Sequence, residues 1–192
     1  MKKLSLFLMI STLVVFSGCK KDDASADSGN NNGGGSTTTY AVGDYYNVDG
    51  VKGIVYRISD GGKHGKIISL DEAILQWSTE EVLTGATDLY NGESNTNVII
   101  SNFDLNNYPA FKWCNNKNTA GISGWYMPSI SEVEDIWRVR EILDEGLLNN
   151  GGVVMHNPWS STEKDNQTAY CDFLSSYTGK WIGKFVRAVH SF

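Results

Sequence analysis

The chain has 192 residues, of which 41% are hydrophobic, and carries 16 Lys and Arg against 22 Asp and Glu. That length leaves room for one domain with appendages and excludes a multidomain machine. The acidic balance lacks the cationic footprint that neutralises phosphates, which argues against general binding to DNA or RNA.

Lys2 and Lys3 precede an apolar run from Leu4 to Phe16, interrupted only by Ser5, Ser11 and Thr12, and Ser17 and Gly18 follow. A charged start, a short apolar stretch and a small-residue exit are the parts of an export signal, so residues 1–18 are read as a signal peptide. The 13 residues of the run fall short of the roughly twenty that a spanning helix needs. Phe16-Ser17-Gly18-Cys19 resembles a bacterial lipobox, in which the signal is cut before a cysteine that then carries lipid. Cys19 is therefore expected to be a membrane anchor, several acyl chains holding firmly where one would be marginal. Lys20-Lys21-Asp22-Asp23 looks like the charged tag behind the lipidated cysteine of surface-exposed Gram-negative lipoproteins. The expected location is the outer membrane, facing outward. From Ala24 to Thr39 nothing is more apolar than Ala, so residues 19–39 are read as lipidated cysteine and flexible tether, with a reach of about 20–24 Å.

The remaining 153 residues, 40–192, suit a single domain. Ile54–Ile58 and Lys66–Leu70 are β-rich runs joined by SDGGKHG, whose Asp-Gly and Gly-Gly steps predict a hairpin. Ser78 or Thr79 is expected to cap a short helix through Leu83. Asp88–Asn95 is polar and turn-prone and reads as a loop, and Val98–Ile100 reads as a strand. Pro109 starts a helix through Lys117, with Phe111 and Cys114, or Ala110, Trp113 and Cys114, on one side. Ser129 and Glu132 fit a capping box, and the apolar stripe from Ile130 through Leu147 extends that second helix to the stop at Asn149–Gly152. Ala169–Leu174 and Lys184–Val189 read as strands, with Trp181 and Ile182 near a turn at Thr178–Lys180. Strands, two helices, then strands give an α+β domain.

Several spaced motifs resemble the Lcl C-terminal domain family, a bacterial domain of collagen-like adhesins and exported lipoproteins. They are Gly53-Ile54-Val55-Tyr56, Gly62 to Leu70, Asn95-Thr96, Cys114, Gly124-Trp125-Tyr126-Met127-Pro128-Ser129 with Glu132, Trp159 to Glu163, and Lys184 to Val189. The resemblance implies a fold similar to C-type lectin-like and formylglycine-generating-enzyme-like domains, and a role in binding glycans, sulfated ones included. This chain departs on charge: residues 40–192 hold 12 basic and 19 acidic side chains, a net −7 that repels sulfated polymers. It also lacks the paired-carboxylate, Asn and Pro motif of calcium-dependent lectins. No metal and no cofactor is expected.

After lipidation, Cys114 and Cys171 are the only cysteines left, an even pair in an oxidising compartment, which allows a disulfide or two separate buried thiols. The family more often places its second cysteine near the final strand, where this chain has Ala188. His64, His156 and His190 stand in no metal or catalytic spacing, and no G-x-S-x-G elbow surrounds Ser160 or Ser161. Trp113, Trp125, Trp137 and Trp159 are assigned to the interior. Trp77, Tyr90 and Trp181 lie beside loops and are the candidate aromatic contacts, with Asp88, Asn91 and Glu93 as polar contacts next to Tyr90. The expected function is a non-catalytic recognition domain for a glycan or surface-protein ligand, acting in adhesion or capture. The competing readings are a structural component of a surface assembly and an enzyme using Cys or His chemistry.

Overall fold

In the computed structural model of the protein, residues 38–119 and 121–192 are described; the predicted signal, Cys19 and the tether through residue 37 lie outside them. A four-stranded sheet, in the order β1 (Tyr45–Val48), β2 (Val51–Ser59), β3 (His64–Ile68) and β9 (Val189–Ser191), is antiparallel throughout. The β2–β3 hairpin stands where the turn residues place it. Its tip is a 3-10 turn at Asp60–Gly62 with φ of 48°, 63° and 88°. At Gly62 a Cβ would lie 2.2 Å from the Tyr40 carbonyl, and the Gly62 carbonyl accepts the Tyr40 amide at 2.8 Å. Phe192 pairs with Gly65 in both directions, at 2.9 and 3.0 Å, and the Tyr40, Tyr46 and Phe192 rings cluster. The two ends of the domain are thus tied to one hairpin.

β4 (Ala73–Leu75) pairs with β8 (Lys184–Val186). The helix expected after it, from Ser78 or Thr79 to Leu83, is not formed. Its backbone groups are committed elsewhere: the Trp77 and Ser78 amides donate to the Lys180 carbonyl at 2.9 and 3.2 Å, and the Ser78 hydroxyl accepts the Glu80 amide in a local turn. A helix does form where a strand was expected. Val98–Ile100 lie inside α1 (Gly92–Asn102), because Asn91 caps the helix by accepting the Ser94 amide at 3.0 Å. The cap and the burial of Ile99 override the β preference of Val-Ile-Ile. The same cap turns the end of the predicted Asp88–Asn95 loop into the first helical turn.

α2 (Pro109–Asn115) buries Ala110, Phe111 and Cys114. The capping box is complete: Ser129 accepts the Glu132 amide at 3.3 Å while Glu132 accepts the Ser129 amide at 2.9 Å. The helix it starts ends sooner than its stripe suggests, dividing at Val139 (φ −112°, ψ 16°) into α3 (Ile130–Arg138) and α4 (Arg140–Asn149). In α4, Gly146 takes the close approach to β2, since a Cβ there would lie 2.9 Å from Ile54. The domain therefore has four α-helices among the described residues, not two.

β5 (Trp159–Glu163), β6 (Thr168–Cys171) and β7 (Phe173–Gly179) form a third, antiparallel sheet. The single run read from Ala169 to Leu174 is two strands, because Asp172 at φ 62° turns the chain. The last run likewise breaks between β8 and β9, where Arg187 points inward and is 2% exposed. The architecture is α+β with several antiparallel sheets. One core cluster gathers Trp77, Tyr108, Phe111, Met127 and Trp159; another joins Ile54, Ile68, Leu143 and Leu147. Cys114 and Cys171 are both buried as free thiols, so the disulfide is not formed. Burial raises the pKa of each thiol, which favours the inert neutral form.

Candidate recognition groove

The polar motif residues are interior, and they fasten loops. Glu132, 1% exposed, takes the Tyr126 hydroxyl at 2.8 Å, the Ser129 amide at 2.9 Å and the Gly92 amide at 3.1 Å, and also the Lys66 ammonium. A buried carboxylate is costly unless its lone pairs are used, and here four donors use them. Burial first, and the Glu132 charge second, push Tyr126 well above the ordinary tyrosine range. The Asn95 side chain brackets Asp88, accepting its amide at 2.8 Å and donating to its carbonyl at 2.7 Å. Thr162 adds a bond to the same carbonyl at 3.0 Å.

Two buried cations do similar work. Lys180 donates to Glu163 at 2.6 Å, to the Val82 carbonyl at 3.0 Å and to the Asn166 carbonyl at 3.2 Å. Glu163 in turn receives the Thr84 and Gly85 amides. Arg187 gathers the Ser69 carbonyl at 2.6 Å, the Val153 carbonyl at 2.9 Å and Glu72 at 2.9 Å. Backbone carbonyls and amides outside the sheet ladders are held by side chains instead.

This framework presents a groove of about 590 Å³, lined by Tyr90, by Arg57 of β2, by Glu134, Asp135 and Arg138 of α3, and by Leu174 of β7. Tyr90 is 76% exposed, yet its amide and the backbone groups on both sides of it are held. The Ser131 amide donates to the Leu89 carbonyl at 3.0 Å. The Asp88 carboxylate accepts the amides of Tyr90 and Asn91 at 2.8 and 2.9 Å, and the Gly92 amide is held by Glu132. A large ring displayed on an already ordered loop loses little further entropy on contact. Opposite it, Asp135 accepts Arg138 Nη1 at 2.6 Å and Arg57 Nη1 at 3.4 Å, while Glu134 accepts the Leu174 amide at 2.9 Å. The arginine side chains are 59% (Arg57) and 69% (Arg138) exposed. Their remaining N–H groups and the second Glu134 oxygen engage no other described residue. Behind this wall the buried Tyr56 hydroxyl has no hydrogen-bond partner.

Of the sequence-predicted contacts, Tyr90 lies in the groove. Asp88 and Asn91 are exposed beside it, but Asp88 makes the loop's internal turn and Asn91 caps α1; their side chains shape the loop. Glu93 is exposed in the first turn of α1. Trp77 is a correction: it is 0% exposed, stacked edge-on to Phe111 with centroids 4.8 Å apart, and its indole N–H donates to the Ser160 carbonyl at 3.0 Å. Its place beside a loop misled, because that loop runs over the core. Trp181 is 49% exposed but stands apart from the groove, near Ile74 and Ile182 at 62% and 42%. Arg57, Glu134, Asp135, Arg138 and Leu174 were not singled out from the sequence. The α3 residues carried a signal, since 131, 134, 135 and 138 repeat at helical spacing opposite the apolar stripe; Leu174 carried none. No protein-family model matches the chain, and no curated protein does.

Proposed function

We propose that the protein is a lipid-anchored component of the outer membrane surface whose domain, C-type-lectin-like and akin to the Lcl C-terminal family, recognises a glycan at the Tyr90 groove. The observation that carries this reading is Tyr90 itself, an exposed aromatic ring on a loop whose neighbouring backbone groups are already bonded. A sugar ring offers an apolar face to stack on the tyrosine, and its hydroxyls match the unused donors of Arg57 and Arg138 and the unused acceptor of Glu134. Ordered aromatic side chains are effective contact residues because only two torsions must be held.

Cys19→Ala is expected to abolish lipid labelling and release the protein from membranes, and retention in the membrane fraction would remove the anchor. The released protein, applied to a glycan array, is expected to bind and to lose binding on Tyr90→Ala while keeping it on Trp181→Ala. Binding indifferent to Tyr90 would refute the groove. The exposed Ile74, Trp181 and Ile182 favour a second reading, in which that separate apolar patch meets a protein partner; in that case Trp181→Ala would abolish capture of the partner and leave glycans unaffected.

A further inference from the structure

We infer that the groove takes an uncharged saccharide, an assignment that rests on the groove being the binding site. Its walls contain charges of both signs, and these balance in number once Lys66, just outside the lining, is counted with Glu132. Arg57 and Arg138 converge on Asp135, the Glu134 carboxylate holds the Leu174 amide, and Lys66 is taken by Glu132. Arg57 and Arg138 are equalled in number by Asp135 and Glu134, so the groove holds no excess charge for a sulfate, a uronate or a lysine to neutralise.

An anion at the spare guanidinium N–H groups would sit beside the Asp135 carboxylate that already shares both arginines, and would be repelled by it. A cation at the spare Glu134 oxygen would share the groove with two guanidiniums and be repelled by them. A hydroxyl has neither difficulty: it accepts from a spare guanidinium N–H and donates to the spare Glu134 oxygen while the ion pairs stay intact. The surrounding domain, at net −7, adds repulsion against polyanions beyond the groove, within a screening distance of roughly 8 Å at physiological salt. Tyr90 and the 46% exposed Leu174 provide apolar surface for the faces of a sugar ring. The cavity lies within the roughly 300–1,000 Å³ of small-ligand sites.

The full-length Cys19→Ala protein is tested against two immobilised series, neutral hexose and N-acetylhexosamine oligosaccharides, and heparan sulfate with polyuronates. Each is measured at about 0.05 M and about 0.5 M salt. Binding to neutral glycans is expected, changing less than about twofold across that range and falling at least about tenfold in Tyr90→Ala and in Leu174→Ala. Both side chains are exposed, so these variants should fold, which their melting temperatures verify. Binding of the sulfated or uronate series that depends on Tyr90 and fades with salt overturns the uncharged ligand but leaves the groove as the site. Glycan binding unaffected by either variant, or no binding in either series, overturns both.

Discussion

Glu132 and Asp135 stand three residues apart on α3, one with a side chain 2% exposed and four donors around it, the other 31% exposed between two arginines that reach into solvent. The buried carboxylate is fully bonded and joins α1, β3 and the Tyr126 segment, so removing it leaves donors stranded. The exposed one belongs to ion pairs worth about 0–1 kcal/mol each, and its arginines keep bonding capacity to spare. Polar chemistry inside this domain holds the loops in place. Polar chemistry on the outer side of α3 is left available.

That contrast breaks if interior substitutions are tolerated. Glu163→Ala leaves the buried Lys180 with two carbonyls but no counter-ion, and Thr84 and Gly85 with orphaned amides. It is expected to cost about 3–5 kcal/mol, a fall in melting temperature on the order of 10 °C, and a melt within a degree of wild type would sink the framework. Trp77→Ala should cost about 3–5 kcal/mol, read as a lower urea midpoint. Alkali provides a third test. Burial first, and Glu80 second, push Tyr108 up to about 12, and Tyr56 and Tyr126 are raised by burial as well. Unfolded tyrosines release their protons near 10, so between that pH and about 12 the unfolded chain holds fewer protons than the native one. Stability is therefore full below about pH 10 and declines as pH climbs toward 12. Tyr108→Phe should flatten that decline in urea titrations, and an unchanged slope would separate Tyr108 from the effect.

Smaller effects sharpen the comparison. Tyr126→Phe removes a hydroxyl bonded to a buried carboxylate and should cost about 1.5–3 kcal/mol, while Tyr56→Phe removes an unpartnered one and should be near neutral or stabilising. Equal losses in the two would contradict the bonding assigned to Glu132. Tyr90→Ala should alter stability by no more than about 0.5 kcal/mol; a larger shift would place Tyr90 in the structural framework.

The hairpin tip at Asp60–Gly62, the Pro109 start of α2 and the Ser129–Glu132 box were legible because each is decided within a few residues. Positive φ at the turn, a missing amide at a helix start and a reciprocal side-chain cap need no distant partner. Val98–Ile100 misread for the converse reason. Its β preference is weak beside an Asn91 cap and a core position for Ile99 that other segments create. The division at Val139 was hidden because the apolar stripe continues through it.

Of the site, Tyr90 and the polar loop around it were legible as exposed turn chemistry, and α3's outer polar spacing was present in the sequence. Its meeting with Arg57 and Leu174 was not. Composition, spacing and caps by themselves determined an acidic chain, a local grammar of turns and helix starts, and an α+β class. Only the tertiary structure decided that Trp77 is enclosed while Tyr90 is displayed, that Cys114 and Cys171 stay apart, and that Arg57 and Arg138 share one carboxylate. Exposure and pairing are sums over neighbours brought together from remote parts of the chain, and no local preference encodes them.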